Sequence, residues 1–421
     1  MLKAISGTIL TRIITTVMGL LVSVIAGHRL GAEGLGTIGL IVLAISLVRL
    51  GMDLVGSSAL VYLVPRVSLG RLLPPCYAWS VVAAVAGWAI IALLHLVPEG
   101  YAAHVAILAL LQGINAIHLS VLIGQQRIGG NNWITMVQAI ALVAVFALLA
   151  REPGADARSF IGAVYASTIL ALVLSTGAIS RRGTVAQHEP VNVLGILFRQ
   201  GTYIQLANGM QLLNYRLAYW LIEKLRDTAQ LGVYTVANQL AEGAWLVPKS
   251  LALVLYSKIS NLRQMDVQRN LTLSFLKLSL ACAAAIVLVL VLLPSSVFQW
   301  IFGPEITGIT PLIALLIPGI LGMAASQAYS HFFSGTARNV HNVIGSGLGL
   351  VATVGLGLWL IPAYGLSGAA ITATAAYTVN AAYQTVAFMR ITGARFRDLW
   401  PNKADGQRLR EMLGFNRTTG R

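Results

Sequence analysis

Leu35 to Val64 reads LGTIGLIVLAISLVRLGMDLVGSSALVYLV, a run long enough to cross a bilayer at about 1.5 Å of rise per residue. Arg49 and Asp53 sit near its middle. A charge at that depth costs about 2.5 to 3.5 kcal/mol even on lenient insertion scales, so lipid is a poor neighbour for either side chain. Helical periodicity places Ser46, Arg49, Asp53, Gly56 and Ser57 on one face and Leu43, Leu47, Leu50 and Leu54 largely elsewhere. The run therefore reads as a membrane span whose polar side lines a water-filled cavity.

The rest of the chain agrees with a membrane setting. Of 421 residues, 57% are apolar and 10% charged, and the mean hydropathy is +0.77. That leaves too little polar surface to cover a soluble globule. Apolar runs bounded by glycine, proline or charge predict twelve spans, at 7–27, 36–64, 77–97, 102–124, 132–150, 159–179, 199–222, 231–256, 270–293, 309–335, 340–361 and 366–390. The expected domains are an N-terminal six-helix bundle at 1–179, a linker at 180–198, a C-terminal six-helix bundle at 199–390 and a basic tail at 391–421. With the N-terminus inside, nineteen Lys and Arg fall on the cytoplasmic side and five on the other, which predicts that both termini are cytoplasmic. The net charge of +15 thus belongs mostly to loops and tail, and nucleic acid is not an expected partner.

Five cations remain within spans: Arg12, Arg49, Arg216, Lys249 and Lys277. Lys277 lies about two turns from a cytoplasmic end and can snorkel outward. The other four fall on the first, second, seventh and eighth spans, as expected if spans seven and eight repeat one and two. Two sequence echoes point the same way. Ala32-Glu33-Gly34-Leu35-Gly36 opens the second span as Ala229-Gln230-Leu231-Gly232 opens the eighth, and Gln126-Arg127 before the fifth span is matched by Ala337-Arg338 before the eleventh.

Each of these spans has a polar face. The first carries Thr8, Arg12, Thr15, Gly19 and Ser23; the seventh carries Gln205, Asn208, Tyr215, Arg216, Tyr219 and Glu223. The eighth groups Thr235, Asn238, Glu242, Trp245, Lys249 and Tyr256 within about an 80° arc. Pro248 is expected to kink that helix. Arg49 and Asp53 are spaced to neutralise each other, and Lys249 and Glu242 are two turns apart, whereas Arg12 and Arg216 have no acid in view among the deep residues. Four cations against two acids suit an anionic ligand, and the guanidinium fork matches phosphate oxygens in pairs. Arg12, Arg49, Arg216 and Lys249 are accordingly the candidates for binding an anionic headgroup. Asp53 and Glu242 are candidates for orienting those cations or for binding a coupling ion. Asn208, Tyr215, Tyr219, Asn238 and Trp245 are candidate sugar contacts.

Three stretches carry a family resemblance. Ile5 to Leu60, ISGTILTRIITTVMGLLVSVIAGHRLGAEGLGTIGLIVLAISLVRLGMDLVGSSAL, resembles the start of the polysaccharide-biosynthesis flippases, the O-antigen and exopolysaccharide exporters of the superfamily that also holds multidrug extruders. LGVYTVANQLAEG at 231–243 and LIPAYGLSGAAI at 360–371 resemble the matching segments of that family. The resemblance implies two six-helix bundles around a V-shaped cavity lined mainly by spans 1, 2, 7 and 8. It further implies translocation of an undecaprenyl-diphosphate-linked oligosaccharide to the outer leaflet of a bacterial inner membrane. Many relatives carry an acid next to an arginine in the seventh span; NYRLAYWL at 214–221 has Arg216 without one. Implied partners are the lipid-linked oligosaccharide and membrane lipids, with a polysaccharide polymerase and a coupling ion, H+ or Na+, left open. Three other functions compete, of which a lipid-II-type flippase is the closest in chemistry. A drug or organic-cation extruder of the same superfamily wants a cavity of net negative character. A polysaccharide ligase or polymerase needs an acid, base or nucleophile at the outer face, yet the largest outer loop, 294–308, has Glu305 as its one charge. HExxH, GxSxG and GxxxxGK[ST] are all absent, and the two cysteines show no metal spacing, so neither enzyme chemistry nor a cofactor is expected.

Overall fold

In a computed structural model of the protein, residues 2–55, 60–61, 63–180, 193–259, 262, 264–336 and 338–400 are described. Their regular structure is helical throughout: α1 (Leu2–Arg29), α2 (Gly31–Met52), α3 (Leu69–Leu94), α4 (Ala102–Gly124), α5 (Ile128–Leu149), α6 (Ala157–Ser180), α7 (Val193–Leu225), α8 (Thr228–Ala244), α9 (Leu246–Ile259), α10 (Met265–Leu292), α11 (Ser295–Phe302), α12 (Ile309–Gly335) and α13 (Val340–Thr392). Helices dominate because, in lipid, each amide must find its carbonyl within the same segment. Among the described residues nine helices are long and apolar enough to cross a membrane, with α13 counted once. α7 falls outside that set because charged and amide side chains interrupt its apolar run. α8 and α9 fall outside it because the eighth span is broken in two.

That break has a local cause. Proline has no amide hydrogen and its ring collides with the carbonyl four residues back. Four residues before Pro248 is Ala244, the last residue of α8. The expected kink is therefore present, one turn ahead of the proline. The second span departs from expectation: α2 is α-helical through Met52 and then tightens into a 3-10 turn at Asp53–Val55. Helix α11 was not expected; it lies inside the predicted outer loop 294–308.

The expected eleventh and twelfth spans are the two arms of α13, which reverse direction near Gly365 (φ 57°, ψ −131°). The arms run back along each other: a Cβ on Gly345 would lie 2.4 Å from Asn380 Oδ1, and one on Gly349 would lie 3.1 Å from the Ala376 carbonyl oxygen. Residues with a Cβ do not reach the Gly365 conformation without strain, at a cost of about 1 to 3 kcal/mol. Gly365→Ala is expected to lower the melting temperature of the purified protein, and an unchanged melting curve would contradict this turn.

The chain divides into two compact units. The first comprises Met1–Leu212, Ile222–Val236 and Ser296–Thr307; the second comprises Leu213–Leu221, Ala237–Ser295 and Gly308–Arg421. The first has an aliphatic core that includes Leu60, Leu72, Val121 and Leu197. The second is more aromatic, with Phe275, Tyr329, Phe332, Phe333 and Phe388 packed together.

Within the first unit, α2 and α8 cross with their backbones almost touching. A Cβ on Gly36 would lie 2.0 Å from the Thr228 carbonyl oxygen, and one on Gly232 would lie 1.9 Å from that of Ala32. The contacts are reciprocal: exchanging 32 with 228 and 36 with 232 reproduces them. Close to this crossing the start of α2 is capped from far along the chain. Leu30 gives no side-chain cap, and the Ala32 amide instead donates to Glu305 Oε2 at 2.8 Å. A carboxylate at a helix N-terminus satisfies an orphan amide and faces the positive end of the helix dipole.

The second sequence echo has a backbone counterpart. The Arg127 amide reaches back to the Leu122 carbonyl at 2.8 Å and that of Arg338 to Phe333 at 2.7 Å. Gln125 and Thr336 make the matching shorter bonds, to Val121 at 2.9 Å and Phe332 at 3.0 Å. The same hydrogen-bonded cap closes α4 and α12.

Candidate functional site

The first unit holds an open cavity of about 580 Å³. From α2 and its terminal turn come Ser46, Arg49, Leu50 and Asp53, and α1 adds Thr15. Ser46, Arg49 and Asp53 thus share a polar wall, as helical spacing predicts, and Leu50 joins them; Gly56 and Ser57 lie outside the described residues. The opposite walls were not foreseen from sequence: Gln112 from α4, Thr135 and Gln138 from α5, and Ser167 and Thr168 from α6. Single amides within apolar runs such as QGINAIHL were the available signal. From α7 come Gln205 and Asn208, and Gln205 Nε2 donates to the Asp53 carbonyl at 3.3 Å.

Arg49 and Asp53 line the same wall without closing to an ion pair. Among the described residues no carboxylate lies within 4.0 Å of the Arg49 guanidinium, and its buried Nε has no hydrogen-bond partner. The Asp53 amide still donates to the Arg49 carbonyl, so the two residues keep one face of the helix while their charged ends stay more than 4.0 Å apart. Arg12 is exposed on α1 and is not part of this wall.

The second unit holds a separate polar cluster. Arg216 Nη2 lies 3.0 Å from Glu242 Oε1, with 22% and 29% of the two side chains exposed. Arg216 Nη1 also donates to Tyr219 Oη at 2.5 Å, and its Cζ stands 4.9 Å from that ring's centroid. Asn238 Nδ2 donates to Glu242 Oε1 at 2.8 Å and to Tyr219 Oη at 3.3 Å. Arg216 therefore does have an acid, supplied by α8 rather than by its own helix, which corrects the reading of it as unpartnered.

The remaining candidates are placed as follows. Trp245 is 0% exposed, its indole N–H donating to the Ile320 carbonyl at 3.2 Å and its ring meeting Tyr377 edge-on at 5.6 Å. Tyr219 and Asn238 are likewise buried within the cluster. Lys249 Nζ stands 5.8 Å from the Trp245 ring centroid. The Tyr215 side chain lies outside the described residues.

Long apolar helices carrying charged and amide side chains define a multi-pass membrane protein, and its fold is like that of solved MOP superfamily transporters. No family model matches the sequence, and no curated protein matches it significantly. Solved structures do match. A multidrug-resistance MATE family transporter in an inward-facing conformation superposes with a TM-score of 0.72 at 15% identity, covering 90% of this chain and 95% of that one. The lipid II flippase MurJ, in an inward closed conformation, gives 0.69 at 12% identity over 98% and 93%. A MOP superfamily transporter from Pyrococcus furiosus, described as having a binding pocket of reversed polarity, gives 0.61 at 16% identity over 93% and 96%.

Proposed function

We propose that the protein is a flippase that carries an undecaprenyl-diphosphate-linked oligosaccharide from the cytoplasmic to the outer leaflet of a bacterial inner membrane by alternating access, the oligosaccharide being a repeat unit of O-antigen, capsule or exopolysaccharide. The observation that carries this reading is Arg49, a cation set with Asp53 in the wall of an amide- and hydroxyl-lined cleft and making no ion pair within 4.0 Å among the described residues. An intramembrane charge held this way is expensive unless a ligand of opposite charge is received there. On this reading Arg12, Arg49, Arg216 and Lys249 attract the anionic headgroup, Asp53 and Glu242 orient the cations or bind a coupling ion, and the prenyl tail stays in lipid. The polar cavity supplies hydrogen bonds that hydrocarbon does not, sparing the headgroup several kcal/mol per unpaired group. Arg49→Ala and the double variant Arg216→Met with Glu242→Leu, which strands no charge, are each expected to raise inner-leaflet lipid-linked oligosaccharide at least tenfold while the protein remains in the membrane. Normal surface polysaccharide in both variants would refute the assignment.

The likeness to a multidrug-resistance transporter supports a second reading, export of organic cations. A cationic ligand in this cleft meets Arg49 as well as Asp53, so it gains less there than an anionic one that also reaches Arg49. Drug susceptibility of a deletion strain separates the two: sensitisation without stalled glycolipid favours the exporter of cations.

A further inference from the structure

We infer that the first-unit cavity is a saccharide site, built to receive one or two sugar rings of the headgroup, and that Gln138 and Thr168 are specificity-determining residues within it. The inference rests on the flippase reading and specifies what its cavity recognises.

The argument is one of hydrogen-bond supply. Four hydroxyls of the cavity wall have already spent their protons on their own helices: Thr15 donates to the Arg12 carbonyl at 3.0 Å, Ser46 to Val42 at 2.7 Å, Thr135 to Asn131 at 2.9 Å and Ser167 to Val164 at 3.1 Å. What each turns to a ligand is therefore lone pairs, since a hydroxyl has a single proton to give. The Asp53 carboxylate adds further acceptor oxygens when ionised. A ligand here must bring many donors of its own. Phosphate brings next to none and a tertiary amine brings one, whereas a sugar ring brings a hydroxyl on most carbons.

Sugar hydroxyls also accept, and the cavity provides for that. Gln138 has its carbonyl oxygen fixed by Asn115 Nδ2 at 3.3 Å, which fixes the amide orientation and leaves its NH2 group to donate. Arg49 Nε, buried and without a partner, is a second donor. Thr168 adds an unspent hydroxyl: the residue lines the cavity, is buried, and its Oγ1 has no hydrogen-bond partner among the described residues. A buried polar atom left unsatisfied is costly, and an arriving hydroxyl removes that cost. Phe160 and Leu142 supply an apolar wall for the C–H face of a ring. The volume of about 580 Å³ lies in the range of small-molecule sites.

The test is equilibrium binding to the full-length protein in lipid nanodiscs, with three probes: undecaprenyl diphosphate, the same lipid bearing one N-acetylglucosamine, and the same lipid bearing one galactose. At least one sugar-bearing lipid is expected to bind tenfold or more tightly than the bare one. Gln138→Leu and Thr168→Val, near-isosteric changes, are expected to remove that gain while leaving affinity for bare undecaprenyl diphosphate within twofold. Should a variant fail to fold, hydrogen exchange on the wild-type protein gives the answer: protection of α4 to α6 with the preferred sugar-bearing lipid and none with the bare lipid. Equal binding of all three lipids overturns the saccharide site and leaves the flippase reading standing. A gain that survives both substitutions, or protection that avoids α4 to α6, overturns the location. No binding of any probe overturns both readings together.

Discussion

Gly232→Val is expected to leave almost no folded protein in the membrane. A Cβ at this position lies 1.9 Å from the Ala32 carbonyl oxygen, and that atom belongs to a helix backbone that cannot swing aside as a side chain does. Overpacking a core commonly costs 1 to 3 kcal/mol when neighbours can relax; here a whole helix must retreat, and about 3 kcal/mol or more is the expected loss. Gly36→Val meets the Thr228 carbonyl at 2.0 Å and is expected to behave alike. Gly243→Ala, further along α8, has nothing within 4 Å of its new Cβ and serves as the control. Fluorescence-detected size exclusion and thermal unfolding read all three variants. Wild-type abundance and melting for Gly232→Val would mean that α2 and α8 do not meet backbone to backbone.

Removing the acid that faces Arg216 is the second large effect. Glu242→Ala strands a guanidinium whose side chain is only 22% exposed. Breaking a buried pair from one side costs about 3 to 5 kcal/mol, and the partial exposure argues for the lower end. Glu242→Gln keeps an acceptor for Asn238 and Arg216 and is expected to lose about half as much. The decisive variant is the double one, Arg216→Met with Glu242→Leu. With neither charge left to bury, stability is expected to return to within about 1 kcal/mol of wild type while transport stays lost. Melting curves and a lipid-accumulation assay distinguish these outcomes. If the double variant is as unstable as Glu242→Ala, the cost lies in packing around α8 and not in the charge.

Much of the architecture was legible because hydropathy and bilayer thickness act locally. The runs 102–124 and 309–335 are the helices Ala102–Gly124 and Ile309–Gly335, residue for residue. The glycine echo at 36 and 232 was visible as a pattern before its cause was known, which is the backbone crossing that forbids a side chain at either place. Less legible was whatever depends on side-chain rotamers or on contacts between distant segments. Helical spacing sets Arg49 and Asp53 on one face, but whether their charged ends close to ion-pair distance depends on side-chain rotamers that spacing does not determine. Arg216 looked partnerless because its acid is 26 residues along, on another helix, beyond any periodic argument. Gln112, Gln138 and Thr168 passed unnoticed since a lone polar residue in an apolar run has no spacing to betray it.

The cap on α2 has a consequence for how the protein is made. When Ala32 enters the membrane, the carboxylate that will accept its amide is still 273 residues from synthesis. Glu305 belongs to Ser296–Thr307, and a further piece of the same compact unit, Ile222–Val236, is also made long after α2. The first unit therefore reaches its final form only after most of the polypeptide has left the ribosome. Until then an insertase or chaperone must shelter an incomplete helix start, and a stalled translation product ending before Glu305 exposes that unfinished edge to membrane proteases.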